Sequence, residues 1–274
     1  MRTPRGAVVV GVEDAPDARL AVRWAADEAD RRAAPLHLVH ALDVGYRELP
    51  PTTREYRRLR HRGERVLDSA RAVLPFGFSR PVSSEIDDQP AAPALVSASG
   101  DALLTVVGAR AHSIGYELLV GSVSLHLAHH AASPLVVVRE SADPVAARVV
   151  VGADGSPGAE TALRFALEAA AREGLTVTVL HGTSGRPGAV DQEQAKREEA
   201  IAAAVATWSA KYPEASVSVR VEPRHPARLL TDASAHARLL VVGSHGRGVL
   251  GGQRLGPVGQ AALHHARCPV AFTR

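Results

Sequence analysis

Short apolar runs alternate with longer amphipathic segments along this chain. The runs at residues 7–12 and 134–138 are rich in valine and contain no charged residue. Uninterrupted runs of this kind are typical of strands that are buried on both faces of a sheet. After the first run, Pro16 opens a segment whose apolar residues recur at helical spacing, which predicts an amphipathic helix.

The same alternation predicts five strands and four helices in each half of the chain. In the first half the strands are expected at 7–12, 36–41, 82–86, 103–107 and 134–138, with helices from Pro16, at 53–74, at 90–99 and after Gly121. In the second half the strands are expected at 148–153, 175–181, 216–221, 238–242 and 269–273, with helices at 158–172, 190–211, 226–236 and 257–266. Such alternation indicates an α/β fold with right-handed crossovers. We therefore expect two tandem Rossmann-like (flavodoxin-like) domains, each a five-stranded, parallel, doubly wound sheet.

The two halves are copies of one domain. Residues 8–40 match residues 149–181 at 12 of 33 positions, and the later match between His129-His130 and His264-His265 has an offset of 135 rather than 141. The period is too long for a solenoid repeat. The sequence predicts two homologous domains, 1–142 and 146–274, with a short linker around Pro144.

Composition excludes several classes of site. Only two of the 32 basic residues are lysines, Lys196 and Lys211, and neither follows a glycine loop, which excludes a P-loop. Cys268 is the only cysteine, so intramolecular disulfides and multi-cysteine metal sites are excluded. His126 and His130 have the i, i+4 spacing of a ligand pair, but no third ligand is evident, and we predict no metal site.

Neither nucleic acid nor membrane is an expected partner. The arginine run at residues 54–65 contains Glu55 and Glu64 and lacks the interleaved aromatic residues that stack on bases, so a solvated helix face is favoured. The net charge is +3, no apolar stretch approaches 18 residues, and no signal-peptide pattern opens the chain. A cytosolic location is therefore expected.

Glycines lie where a doubly wound sheet binds its ligands, at the carboxyl ends of the strands. Gly243 and Gly246 are followed after nine residues by Gly256, and the first copy has Gly108 and Gly121 at the corresponding positions. Glycine lets the backbone approach a phosphate, and a helix N-terminus presents free N–H groups. The alternative is that these glycines only form turns and cap helices.

At these residues the chain resembles the universal stress protein family. ATP-binding members of that family carry G-x2-G-x9-G-[ST] after the fourth strand, and the segments at 153–157, 241–248 and 264–270 are typical of it. The resemblance covers essentially the whole chain. It implies binding of adenine nucleotide as ATP, together with Mg²⁺. It also implies a stress-response protein that is regulatory rather than strongly catalytic, and no catalytic residue is assigned.

The resemblance places candidate nucleotide contacts in both copies. In the first copy they are Gly11, Glu13, Ala41, Gly108, Ala111, Gly121, Ser122, Val123 and Ser124. In the second copy they are Gly152, Asp154, Gly182, Gly243, Gly246, Gly256 and Val258. Each copy departs from the family pattern, since Ala111 replaces a glycine in the first and Pro257 and Gly259 remove hydroxyl groups in the second. The sequence leaves open which site binds better.

Two alternative hypotheses about the function remain open. One is a regulatory or scaffolding protein whose nucleotide sites have decayed, and the other is a slow ATPase. The family resemblance also implies that domains pair through their last strands, here residues 135–139 and 270–274, and that the chain forms a homodimer.

Overall fold

A computed structural model describes residues 3–42, 50–109, 121–183, 192–243 and 255–274. The chain divides into two compact units, Met1–Arg139 and Glu140–Arg274. Ala111 and Gly246, two of the candidate contacts, lie outside the described residues.

In its described residues, the first unit alternates five strands with four helices, as the apolar pattern predicts. Its strands are β1 (Val8–Gly11), β2 (Leu36–Ala41), β3 (Val82–Asp87), β4 (Leu104–Gly108) and β5 (Leu135–Val138). Its helices are α1 (Pro16–Arg31), α2 (Arg54–Ala72), α3 (Ala91–Ser99) and α4 (Ser122–His130).

The second unit repeats this order. Its strands are β6 (Arg148–Gly152), β7 (Thr176–Gly182), β8 (Val217–Glu222), β9 (Leu239–Gly243) and β10 (Val270–Thr273). Its helices are α5 (Pro157–Glu173), α6 (Gln192–Ser209), α7 (Pro226–Ala233) and α8 (Pro257–His265), with a 3-10 turn at Ser234–His236.

Each unit contains a parallel sheet with the same strand order. In the first unit β1 lies between β2 and β4, with β3 beyond β2 and β5 beyond β4. In the second unit β6 lies between β7 and β9, with β8 and β10 outside them. This is the Rossmann order, and right-handed crossovers put the first two helices of each unit on one face and the last two on the other. The predicted α/β fold is confirmed.

The strands that carry uninterrupted valine runs form the centre of each core. Every residue of β5 is buried, as are residues 8–10 of β1 and 149–151 of β6. The outer strands β3 and β8 have a different pattern, because most of their residues are partly or largely exposed. The buried centre positions the carboxyl ends of β1 and β4. The strand order reverses between these two strands, and ligands of such folds bind at this point.

Hydroxyl side chains cap the starts of two helices. The Thr53 hydroxyl accepts from the Tyr56 N–H at 3.2 Å and caps α2, and the Ser156 hydroxyl accepts from the Ala159 N–H at 3.2 Å and caps α5. In the part of the chain described above, none of the helices combines the length and the apolar character needed to cross a membrane.

Candidate functional site

A cavity of about 410 Å³ opens at the carboxyl edge of the first unit's sheet. It lies at the ends of β1 and β4, between which the strand order reverses, and it reaches from α2 to the start of α4. Eight of the nine candidate contacts of the first copy line it; these are Gly11, Glu13, Ala41, Gly108, Gly121, Ser122, Val123 and Ser124. Residues from four separate stretches of sequence are therefore brought around one space.

One end of the cavity, here called the α4 end, is formed by the first turn of α4. Gly121 precedes the helix in an extended conformation, with φ −62° and ψ 145°, and donates its N–H to the Ala109 carbonyl. The Ser124 hydroxyl donates to the Gly108 carbonyl at 3.0 Å and ties the helix to the end of β4. Ser122 is exposed, so its hydroxyl and the first-turn N–H groups can face a ligand.

The middle of the cavity contains two carboxylates. Glu13 and Asp14 directly follow β1, and both are exposed. Carboxylates accept hydrogen bonds from hydroxyl groups. This part of the cavity therefore fits a ligand that presents hydroxyl donors.

His40 also lines the cavity and stabilises the segment that follows β1. Its Nδ1 donates to the Val12 carbonyl at 2.8 Å, and His181 makes the same bond to the Ala153 carbonyl at 2.7 Å in the second unit. Gly63 of α2 makes room for the His40 ring, because a Cβ there would lie 2.8 Å from His40 Cδ2. The repeated histidine thus positions the segment that follows the first strand.

The opposite end of the cavity, here called the α2 end, is formed by residues that the sequence did not identify as candidate contacts. It is formed by Leu59, Arg62 and Val66, which share one flank of α2. Their spacing of three and four residues is a helical stripe, which is the signal that could have found them. Leu95 of α3 also lines the cavity.

Packing against helices accounts for the absence of a side chain at several of these glycines. A Cβ on Gly108 would lie 3.1 Å from backbone atoms of Asp17 in α1, and one on Gly243 would lie 2.8 Å from the Gly158 carbonyl oxygen in α5. Gly121 and Gly256 have φ values of −62° and −66°, which any residue adopts. Gly108 and Gly243 thus admit the first turn of a helix, and Gly121 and Gly256 each precede one.

In the second unit the corresponding positions are packed against protein atoms. A Cβ on Gly152 would lie 2.7 Å from Leu230 Cδ1, and Gly182 lies against the backbone of Arg224 and Pro226 with 2.7 Å to the Arg224 oxygen. The end of β7 is therefore closed by the start of α7. Gly11 is likewise close to Leu95, yet the first unit keeps its cavity.

The start of α8 is apolar where the start of α4 is polar. Leu255 is buried, and its side chain would lie 2.5 Å from a Cβ placed on Gly259, the position equivalent to Ser124. Pro257 replaces Ser122 and brings neither a hydroxyl nor an N–H. Gly256 and Val258, the candidate contacts here, therefore lie beside fewer hydrogen-bond donors than the equivalent Gly121 and Val123.

Asp154 forms a hydrogen bond within its own turn. Its carboxylate accepts from the Ser156 N–H at 2.9 Å across Gly155, which has φ +71°. This turn leads into α5. A smaller cavity of about 140 Å³ lies between α5 and α6, and its lining includes Ile201 and Leu163 but none of the candidate contacts.

The α4 histidines form a ring cluster rather than a metal cage. The His126 and His130 ring centroids are 4.4 Å apart. Burial lowers the pKa of His126, and the neighbouring His130 and His129 lower it further. Among the described residues, no three His, Cys, Asp or Glu side chains are grouped so that they could hold a metal ion.

Known proteins match the chain over nearly its whole length. The model of the universal stress protein family matches residues 5–139 and again residues 146–274. Universal stress protein Rv2623 of Mycobacterium tuberculosis is 36% identical, with 97% of this chain and 96% of that protein covered. A universal stress protein of Mycolicibacterium smegmatis is 34% identical over the same shares of the two chains.

Solved structures show the same fold. The crystal structure of a universal stress protein from Archaeoglobus fulgidus matches with a TM-score of 0.68 and 17% identity, and 98% of each chain is covered. A universal stress protein from that organism in complex with dAMP covers 46% of this chain, with 26% identity and a TM-score of 0.38. The two family matches and the full-length relatives together show that this chain belongs to the universal stress protein family, with two family domains in tandem.

Proposed function

We propose that this chain is a cytosolic regulatory protein that binds an adenine nucleotide, ATP in particular, in the cavity of its first unit. The observation that carries the proposal is the convergence of the eight candidate contacts on one cavity of about 410 Å³. That volume lies within the range of small-molecule sites, about 300–1,000 Å³. The same cavity combines an apolar wall with a helix N-terminus, which suits a base and a phosphate chain.

The α4 end suits the phosphates. The N-terminus of a helix offers N–H donors and the positive end of a dipole, and Ser122 adds a hydroxyl at the first position of α4. Mg²⁺ prefers oxygen ligands and retains several waters when it is bound. The phosphate oxygens and the Ser122 hydroxyl would hold it, and its bound charge would offset that of the phosphates.

The rest of the cavity suits the nucleoside. Val12, Leu42 and Leu59 supply apolar surface for a base, and the Glu13 carboxylate can accept hydrogen bonds from ribose hydroxyls. In the second unit Leu230, Pro226 and Leu255 pack against the corresponding strand end and helix start. We therefore assign nucleotide binding to the first unit.

A charge placed at the start of α4 tests the proposal. We expect Ser122→Asp to weaken ATP binding by about tenfold or more, since it removes a hydrogen bond to a charged group, worth about 1.5–3 kcal/mol, and adds a repelling carboxylate. An acidic residue in the first turn favours the helix itself, so the fold should not be destabilised. Isothermal titration of the full chain with ATP, ADP and AMP, together with thermal unfolding of the variant, gives both quantities.

The repeat supplies a matched control. Pro257→Asp places the same charge at the equivalent, exposed position of the second unit and should leave the affinity within about twofold, because α8 is not assigned to the site. Equal losses in both variants would contradict the assignment to the first unit. Absence of binding at millimolar nucleotide would favour the decayed-site alternative, and ADP formation that Ser122→Asp abolishes would favour the slow ATPase.

A further inference from the structure

The cavity of the first unit has a cation at the end opposite to α4. Among the described residues that line it, Arg62 is the only arginine or lysine. Its side chain is exposed, and no ion pair or hydrogen bond joins it to another described residue. Within the described part of the chain, the guanidinium at the α2 end of the cavity therefore has no hydrogen-bond or ion-pair partner.

The charges of α2 are divided between two flanks. On one flank Arg60 and His61 pair with Glu64, and Arg71 pairs with Asp68 at 3.0 Å. On the flank that adjoins the cavity, the spacing of four, four and three residues aligns Arg54, Arg58, Arg62 and Arg65, and no ion pair between described residues involves them. Glu55 is the one acidic residue on that flank, so the flank keeps a net positive charge from its four arginines.

The two ends of the cavity are well separated. The α2 helix packs on β2 and β3, whereas α4 starts beyond the end of β4. Since β1 lies between β2 and β4, these strands are two strand spacings apart, or about 10 Å. Glu13 and Asp14 follow β1 and thus lie between the ends. Along the cavity the protein offers a positive helix end, then carboxylates, then the Arg62 guanidinium.

We propose that this cavity selects an adenine nucleotide that carries a second phosphate at its nucleoside end, with Arg62 as the residue that binds it. The inference rests on the proposed function, because it places the 5′ phosphates at α4. A ligand with an anionic group at each end and a hydroxyl donor between them complements the order of charges. The planar guanidinium fork matches phosphate oxygens bidentately, and an arginine near the end of the second strand is how dinucleotide folds accommodate a phosphate on the ribose.

Titration of the full chain with three nucleotides tests this inference. The probes are adenosine 5′-monophosphate and the adenosine 2′,5′- and 3′,5′-bisphosphates. We expect at least one bisphosphate to bind about tenfold or more tightly than the monophosphate, as an added charge-assisted contact predicts. In Arg62→Ala that advantage should disappear while the affinity for the monophosphate stays within about twofold. Arg62→Lys should keep part of the advantage, since it retains the charge and loses the fork.

The matched control is Arg58→Ala, which removes the same charge one turn away on the same flank, outside the cavity lining. It should preserve the preference for the bisphosphate. Equal affinity for the monophosphate and both bisphosphates would overturn the inference and leave nucleotide binding intact. An equal loss for all three ligands in Arg62→Ala would also overturn it, because Arg62 would then contact the nucleoside common to them. If neither ATP nor any of the three probes bound, the proposed function itself would fail.

Discussion

His37 is a fully buried histidine in β2 with an incomplete set of partners. Its Nδ1 lies 2.8 Å from the Ser83 hydroxyl, and its Nε2 lies 3.6 Å from Glu85 Oε2, too far for a good hydrogen bond. Burial lowers the pKa of His37 below its ordinary value of 6.5, although the Glu85 carboxylate opposes the shift. Above pH 6.5 the folded protein therefore holds this imidazole in its neutral form.

The lowered pKa makes the stability of the protein sensitive to acid. A histidine that binds its proton more weakly in the folded state contributes stability above pH 6.5, and this is lost as the pH falls below that value. In His37→Thr, which copies Thr178 of the second unit, we expect a smaller acid-induced loss, by up to about 1.4 kcal/mol per pH unit. Urea denaturation between pH 7.5 and about 5 measures the difference.

An exposed histidine provides the control for this measurement. His61 has 71% of its side chain exposed, so His61→Gln should leave the acid-induced loss close to that of the parent. A His37→Thr protein that lost stability in acid as steeply as the parent would show that His37 does not resist protonation.

At the scale of elements, the two copies of the first helix end in the same way with different residues. In α5 the terminating residue is Gly174, with φ +65°, and the Leu175 N–H donates back to the Ala170 carbonyl at 2.9 Å. In α1 the equivalent residue is Ala33, with φ +51°, and the Ala34 N–H donates to the Ala29 carbonyl at 2.9 Å. A left-handed conformation costs a residue with a Cβ about 1–2 kcal/mol.

Exchanging these two residues should change stability in opposite directions. We expect Ala33→Gly to raise the free energy of unfolding by about 0.5–1 kcal/mol, since relief of the left-handed strain exceeds the entropic cost of glycine. Gly174→Ala should lower it by about 1 kcal/mol for the same reason. Urea midpoints at constant m-value give both changes, and a destabilised Ala33→Gly would refute the strain argument.

The elements were more predictable than the site. Valine runs identified β1 and β5, and the arginine-rich segment predicted at 53–74 became α2, which is Arg54–Ala72. Local pattern suffices there, because period and end signals are properties of one segment. Arg62 lines the cavity only because of the way α2 packs on β2. Position 108 needs a glycine because Asp17, 91 positions earlier in the chain, approaches it closely. Such tertiary reasons cannot be obtained from spacing alone.

At the scale of the whole chain, the two copies of one domain share the same register of strand pairing. They have diverged at the carboxyl edge of the sheet. Val8 pairs with Leu36 in the first unit, and its counterpart Val149 pairs with Val177 in the second. At the corresponding helix start, however, Ser124 bonds to the end of β4, whereas Gly259 lies under Leu255. The second unit thus keeps the architecture and fills the place of the hydroxyl with an apolar side chain.

This divergence leads us to expect one nucleotide for each chain. Hydrogen exchange with saturating ATP should slow at the ends of β1 and β2 and in the first turn of α4, because ligand contacts suppress local opening there. Peptides from the ends of β6 and β7 and from the start of α8 should exchange at their unliganded rates, and titration should give one equivalent. Protection of both units would mean that Leu255 and Leu230 move aside when nucleotide binds. In Ser122→Asp the protection should disappear from the first unit without appearing in the second, since the closed packing around Gly182 and Gly259 does not depend on Ser122.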